Sequence, residues 1–481
     1  MRRRPSEATV TRVAVSRVHL PPVGVGRHLL RVPANPSRLF KVLGVAFGVA
    51  IIVGNTISSG ILRTPGEIAA ALPNPWLFLG VWAAGGVYAL FGAMTMAELV
   101  VMIPLSGGQY VYARRALGEY AGFVIGWTDW ISSCASGAAG AIALGELGSQ
   151  VLPVLAGHEG LVASLLTVAF AAVQWLGIRT SDQSSRLLSA LKVLALLAVA
   201  AACFTSPSGA AAAGTTTHVV PSGAAFAAAA VLAFQGVLYT YDGWNGVTYF
   251  GGEVTDPGRQ VPKSMALGVL TVAIVYLALN GAFLHVLGIQ RLAGEKFAAS
   301  AAALIVFGSA GESVVRAVMA VTMLSGAYSI LLLSSRVPYA MAADGLAPRL
   351  LARVNRGGSP DASLAASVLV TVALTLSGTF NSVLAIAAFF FVMQYGVSFA
   401  ALFVLRRREP DAPRPYRAIG YPWIPGLVLA GAGAFVVASF FGDTTNSLHA
   451  VGVLVASYPV YRLALYLLRA RGSSTSGPPV P

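Results

Sequence analysis

The chain predicts an all-α, polytopic membrane protein of twelve transmembrane helices, ten of them forming an inverted 5+5 repeat whose first and sixth helices are discontinuous. Three observations predict this. Of its 481 residues, 56% are hydrophobic and only 10% charged, far below the roughly 25% charged fraction of soluble domains, and the mean hydropathy is +0.74. Apolar windows of about 20 residues, the length a bilayer demands, recur along the chain and leave no room for a separate soluble domain. Two of those windows, in corresponding positions of two groups of five, carry polar, glycine-bearing interruptions.

The windows fall at about 43–71, 77–103, 119–152, 160–178, 186–204, 224–252, 264–288, 312–342, 363–378, 382–405, 423–441 and 448–468. Residues 1–40 hold eight arginines and no apolar core of signal-peptide length. They read as a basic cytoplasmic tail, with binding to anionic headgroups as the other reading. Residues 41–405 form the predicted ten-helix core, with repeats at about 43–204 and 224–405. Residues 406–470 hold a basic loop and the last two helices, and 471–481 a C-terminal tail.

The net charge of +14 would suggest nucleic acid in a soluble protein, but here the basic residues sit in the gaps between apolar windows. With the N-terminus inside, cytoplasmic segments carry 26 Lys and Arg and the outer gaps three, Arg63, Arg291 and Lys296. That asymmetry sets topology, with both termini cytoplasmic, so membrane lipid rather than nucleic acid is the expected surroundings. Arginine outnumbers lysine 28 to 4, which together with abundant Ala and Gly fits a bacterial inner-membrane protein. Cys134 and Cys203 both fall inside predicted spans, so neither a disulfide nor a metal site is expected, and no cofactor is predicted.

The first interruption reads Gly54-Asn55-Thr56-Ile57-Ser58-Ser59-Gly60. Each glycine costs about 1 kcal/mol relative to Ala inside a helix, and non-helical backbone survives at membrane depth only against protein or a polar cavity. The second reads Tyr239-Thr240-Tyr241-Asp242-Gly243-Trp244-Asn245. Paired interruptions of this kind point to the midplane site of a secondary transporter; taken alone, the first is equally a close-packing surface of small residues. In the transporter reading, the amides of Ser59, Gly60 and Ile61 face a substrate carboxylate with a positive helix-dipole end behind them. Carbonyls near Thr56 and at 239–242 accept from its ammonium.

At these breaks the chain resembles the amino acid-polyamine-organocation superfamily, and within it the L-type amino acid transporters and their bacterial relatives. The resemblance rests on five ordered motifs: 54–62 followed by Arg63-Thr64-Pro65; Ala97-Glu98-Leu99 with Ser106-Gly107-Gly108-Gln109-Tyr110; Tyr241-Asp242-Gly243-Trp244-Asn245; Glu253 with Pro257-Gly258-Arg259-Gln260-Val261-Pro262; and Ser335-Arg336 with Ala343-Asp344-Gly345-Leu346-Ala347-Pro348. It implies a leucine-transporter-type fold and a substrate site at Thr56, Ser58, Ser59, Gly60, Ile61, Tyr239, Thr240 and Asp242. Two departures matter. Ser58 stands where the family has Gly, which leaves one amide less free to approach a ligand. The outer gap at about 152–160 has no Cys, so no heavy-chain subunit is expected.

The family pattern implies further roles, each beside a plainer reading. Tyr239 matches an aromatic gate over the substrate, or is an ordinary packed ring. Asp242 is a ligand for a cationic side chain, or a cap on backbone amides at the break. Lys192 matches a lysine standing where sodium-coupled relatives hold sodium, a surrogate cation or a proton carrier; its plainer reading is a lysine snorkelling to the interface. Tyr276, Asn280 and Ser325 match positions near that region. Glu98 with Arg114 or Arg115, and Glu253 with Arg259 or Arg336, form cytoplasmic gating pairs or ordinary interfacial charge.

The expected function is a secondary active or facilitative amino acid transporter, for neutral substrates, sodium-independent and working by alternating access. A proton-coupled carrier of cationic amino acids or polyamines is the nearer alternative, and a non-transporting amino acid sensor the alternative of another class. An enzyme is not expected, since no nucleophile-base or metal-ligand pattern runs along the sequence.

Overall fold

The computed structural model describes residues 44–105, 107–175, 182–207, 218–251, 254–355 and 359–472, with the side chains of 182–188 and 469–472 outside that description. The basic tail at 1–40, the C-terminal tail beyond Gly472, Ser106, Arg179 and the Glu253 gating pair therefore lie outside the described residues.

Among the described residues the regular structure is helical, without a strand. The first predicted span appears as α1 (Val45–Thr56), α2 (Ser59–Arg63) and α3 (Pro65–Ala71). There follow α4 (Pro75–Met102), α5 (Gln109–Leu117), α6 (Glu119–Val151), α7 (Glu159–Trp175) and α8 (Asp182–Thr205). The second half runs through α9 (Gly223–Tyr241), α10 (Pro257–Leu292), α11 (Ala298–Ala343), α12 (Asp361–Ser377), α13 (Phe380–Arg408), α14 (Trp423–Gly442) and α15 (Thr444–Gly472).

Eight of these segments are long and apolar enough to cross a membrane, and α7, the 189–205 part of α8 and α12 are shorter apolar helices. Large aromatic side chains stand exposed on the outside, among them Trp76 and Trp423, each 83% exposed. Such rings belong at a lipid or interfacial boundary rather than in water. The chain is thus a multi-pass membrane protein.

Local chemistry sets the helix ends. The Asn74 side chain accepts from the amides of Trp76 (3.0 Å) and Leu77 (3.2 Å), and Pro75 opens α4 with a φ already suited to a helix. Thr379 and Ser382 make a capping box at the start of α13. Both breaks are also local. Ile57 has an extended backbone (φ −79°, ψ 95°) between α1 and α2. At the end of α9, Asp242 is extended (φ −58°, ψ 151°) and Gly243 adopts φ 111°, a conformation open to glycine. A short 3₁₀ helix, Trp244–Phe250, follows.

Gly308 (φ 69°, ψ −170°) divides α11, so its second part starts close to the expected 312 and a shorter helical stretch from Ala298 precedes it. Gly288 (φ 68°, ψ 162°) likewise divides α10 where the seventh window ends, the helix itself beginning earlier, at Pro257. One expectation is corrected. The gap after α4 contains α5, whose apolar residues recur at helical spacing and bury Tyr110, Val111, Tyr112, Ala113 and Ala116.

The interior is built around the two broken segments. Helix α1 packs on α8 and α10, α2 on α6, α9 and α11, and α9 on α13. Helix α6 is studded with Gly, Ala and Ser from Ser132 to Gly148, and small residues let neighbouring helices approach closely. Helices α11, α12 and α13 pack against it; α14 packs on α13, and α15 on both α13 and α6.

Candidate functional site

The two breaks meet. The Tyr276 hydroxyl of α10 lies 2.8 Å from the carbonyl oxygen of Thr56 and 2.9 Å from that of Thr240, between carbonyls at the two helix ends. The hydroxyls of Thr64 and Thr240 lie 3.0 Å apart. A Cβ on Gly60 would come within 3.0 Å of the Thr240 Cα, so the α2–α9 crossing exists because residue 60 has no side chain.

Between the breaks and α6 lies one cavity, lined by Thr56, Ser58, Ser59, Gly60, Tyr239, Thr240 and Asp242 together with side chains from other segments. Seven of the eight residues expected at the substrate site are thus brought together. Ile61 is the exception among them: its side chain is fully buried in the apolar core and does not line the cavity. The first amides of α2, which include that of Ile61, have no intrahelical acceptor, and the Ser58 side chain does not cap them. Helix α2 runs on into α3 through Thr64, whose backbone is also right-handed helical.

Ser58 is accommodated from the opposite side. A Cβ on Gly326 of α11 would overlap the Ser58 hydroxyl, so the extra side chain at 58 fills space that a glycine on the facing helix leaves open. The neighbour Ser325 does not line the cavity; its carbonyl accepts from the Ser329 hydroxyl at 2.9 Å.

Tyr239 is one wall of the cavity. Its hydroxyl points at the Ser136 carbonyl at 3.5 Å, and its ring meets Phe380 edge to face at 6.3 Å. The Arg63 guanidinium lies 4.8 Å from the Phe380 ring centroid and pairs with Glu146 of α6 (2.7 Å) and Glu67 (2.5 Å).

Asp242 accepts a hydrogen bond from the Tyr395 hydroxyl, and Tyr395 stacks at 4.6 Å on Trp244. Lys192 of α8 is buried at 7% exposure, apart from the cavity. It lies less than a turn from Ser189, whose hydroxyl donates to the Ala50 carbonyl of α1 at 3.0 Å. Among the described residues its ammonium has no ion-pair partner.

The sequence reading missed Asp129. This α6 carboxylate is 2% exposed, lines the same cavity and accepts from the Tyr249 hydroxyl at 2.9 Å. A signal was there, because an acidic residue within a membrane span marks a functional position by default.

The Glu98 expectation is also corrected. Fully buried Glu98 pairs with Arg406 (2.5 Å) and lies 3.2 Å from the Arg414 Nε, and its carboxylate accepts from the Ala418 amide. Arg114 instead reaches Glu119 and Asp344, and Arg115 reaches Glu409. The reason is that α13 ends beside α4, carrying the basic 406–414 segment to Glu98.

A polar cavity at two interrupted helices of a multi-pass membrane protein defines a small-molecule carrier rather than a catalyst. A family model describing amino acid permeases matches residues 39–461. The serine/threonine exchanger SteT of Bacillus subtilis is 27% identical over 88% of this chain and 96% of its own length. The large neutral amino acids transporter small subunit 2 of Rattus norvegicus is 27% identical, covering 89% and 81%. An uncharacterized transporter of Mycobacterium tuberculosis is 30% identical, covering 89% and 93%. The chain belongs to the amino acid permease family and is an amino acid transporter, not an enzyme.

Proposed function

We propose that this protein carries neutral amino acids across a bacterial inner membrane by alternating access around the cavity between its two breaks, as a sodium-independent exchanger or facilitator. The observation that carries the proposal is that Thr56, Ser58, Ser59 and Gly60 line one cavity with Tyr239, Thr240 and Asp242, far away in sequence. The substrate carboxylate docks on the amides of Ser59, Gly60 and Ile61. Its ammonium is held by the carbonyls at Thr56 and Thr240, each of which keeps a lone pair beyond the Tyr276 contact. Tyr239 closes over the substrate from one side. A serine/threonine exchanger and a large neutral amino acids transporter among the relatives support the neutral class.

The same proposal includes twelve spans, with repeats at about 43–204 and 224–405 related by inversion, and both termini in the cytoplasm, as the Lys and Arg distribution supports. Lys192 supplies a fixed positive charge in place of a coupling sodium ion, with Tyr276 and Ser325 as supporting residues. The carrier works without a heavy-chain subunit.

Counterflow in proteoliposomes tests this. Labelled serine, threonine or leucine is expected to accumulate against an internal load of the same amino acid, with or without sodium. Saturable binding without counterflow of any amino acid would instead make the protein a sensor.

A further inference from the structure

The buried carboxylates of this chain are not treated alike. Glu98 has Arg406 at 2.5 Å, and Asp361, 4% exposed, has Arg353 at 3.1 Å. Asp129 is as deeply buried at 2% exposure, yet among the described residues no Lys, Arg or His stands within 4.0 Å of it. Among the described residues its one donor is the Tyr249 hydroxyl, which lies 2.9 Å from both Oδ atoms. A hydroxyl has a single proton, whereas a carboxylate accepts about four hydrogen bonds. A buried carboxylate so sparsely satisfied is costly unless it takes up a proton or a cation joins it.

The cavity is where such a cation would come from. Asp129, Tyr249 and Asp242 all line it, and among the described residues no basic side chain does. Thr56, 4% exposed, lines it too, and its hydroxyl has no hydrogen-bond partner. Along α6, Asp129 is seven residues from Ser136, which also lines the cavity and whose carbonyl faces Tyr239. Seven residues of helix span about 10 Å, a length on the order of an extended basic amino acid from carboxylate to side-chain cation.

We propose that Asp129 and the Tyr249 hydroxyl form a subsite for a second cationic group of the substrate, so that the carrier takes amino acids with a side-chain ammonium or guanidinium besides neutral ones. The inference rests on the carrier reading above and extends its substrate range. The side-chain cation lies against Asp129, with Tyr249 holding that carboxylate in place. The α-ammonium and α-carboxylate stay at the breaks, near Asp242 and Ser59.

The test compares lysine with norleucine, its uncharged isostere, in proteoliposome counterflow. Wild type is expected to take up both. Asp129→Asn is expected to lower the lysine-to-norleucine uptake ratio at least tenfold, and Asp129→Glu to retain most of it. Because the readout is a ratio, a general loss of folded protein does not move it. If Asp129→Asn does not reach the membrane, wild type still decides: lysine counterflow supports the subsite, and its absence beside norleucine counterflow overturns it. An unchanged ratio in Asp129→Asn also overturns it. Absence of counterflow for both substrates, and for serine, threonine and leucine as well, overturns the carrier reading, and this one with it.

Discussion

The Tyr276 hydroxyl lies 2.8 Å from the carbonyl oxygen of Thr56, at the last residue of α1. The same hydroxyl is 2.9 Å from the Thr240 carbonyl, so one proton serves two helix ends. Tyr276→Phe keeps the ring contacts with Trp82 and Tyr241 and removes only this link. Leaving buried carbonyls short of a donor costs about 1–3 kcal/mol, and about 1.4 kcal/mol is a factor of ten in rate. Uptake is expected to fall about tenfold with membrane levels preserved; a variant that transports normally would remove the bridge from the mechanism.

Gly60→Ala should be as damaging as Gly60→Leu. The added Cβ would lie 2.9 Å from the Thr240 hydroxyl oxygen and 3.0 Å from its Cα, and the Cα cannot rotate away. Loss of uptake with protein still in the membrane, measured by immunoblot beside transport, is the expected result for both.

Lys192→Ala removes a buried ammonium beside the α1–α8 contact. Uptake is expected to fall sharply, and added sodium to restore part of it if the ammonium substitutes for a coupling ion. Normal uptake without sodium would discard that role.

The Arg63 pairs link the segment after the first break to Glu146 of α6, over the Phe380 ring that meets Tyr239. Arg63→Gln cuts both ion pairs. A cysteine placed at Ser136 is expected to react faster with a membrane-impermeant thiol reagent added from the outside in this variant than in the Arg63 background; equal labelling would show that the cluster closes nothing.

Glu98→Gln leaves Arg406 and Arg414 without their carboxylate, and breaking a buried pair from one side costs about 3–5 kcal/mol. A clear drop in the thermal midpoint in detergent is expected, larger than for Glu119→Gln, whose partner Arg114 is one-third exposed.

What the sequence by itself determined was local in origin. Apolar runs mark a multi-pass membrane protein, and the glycine-bearing, polar stretches at 54–60 and 239–245 mark where helices stop, because backbone cost depends on the residues at that point. Only the tertiary structure decided which distant residues share a face. Ser58 meets Gly326, Asp129 meets Tyr249, and Glu98 meets Arg406 across 308 residues. The physical reason is that lipid is as apolar as a packed interior, so hydropathy along a span does not report which side faces the cavity. The same ambiguity hid the end of α13 beside Glu98 and the orientation of Asp129, which side-chain packing alone fixes.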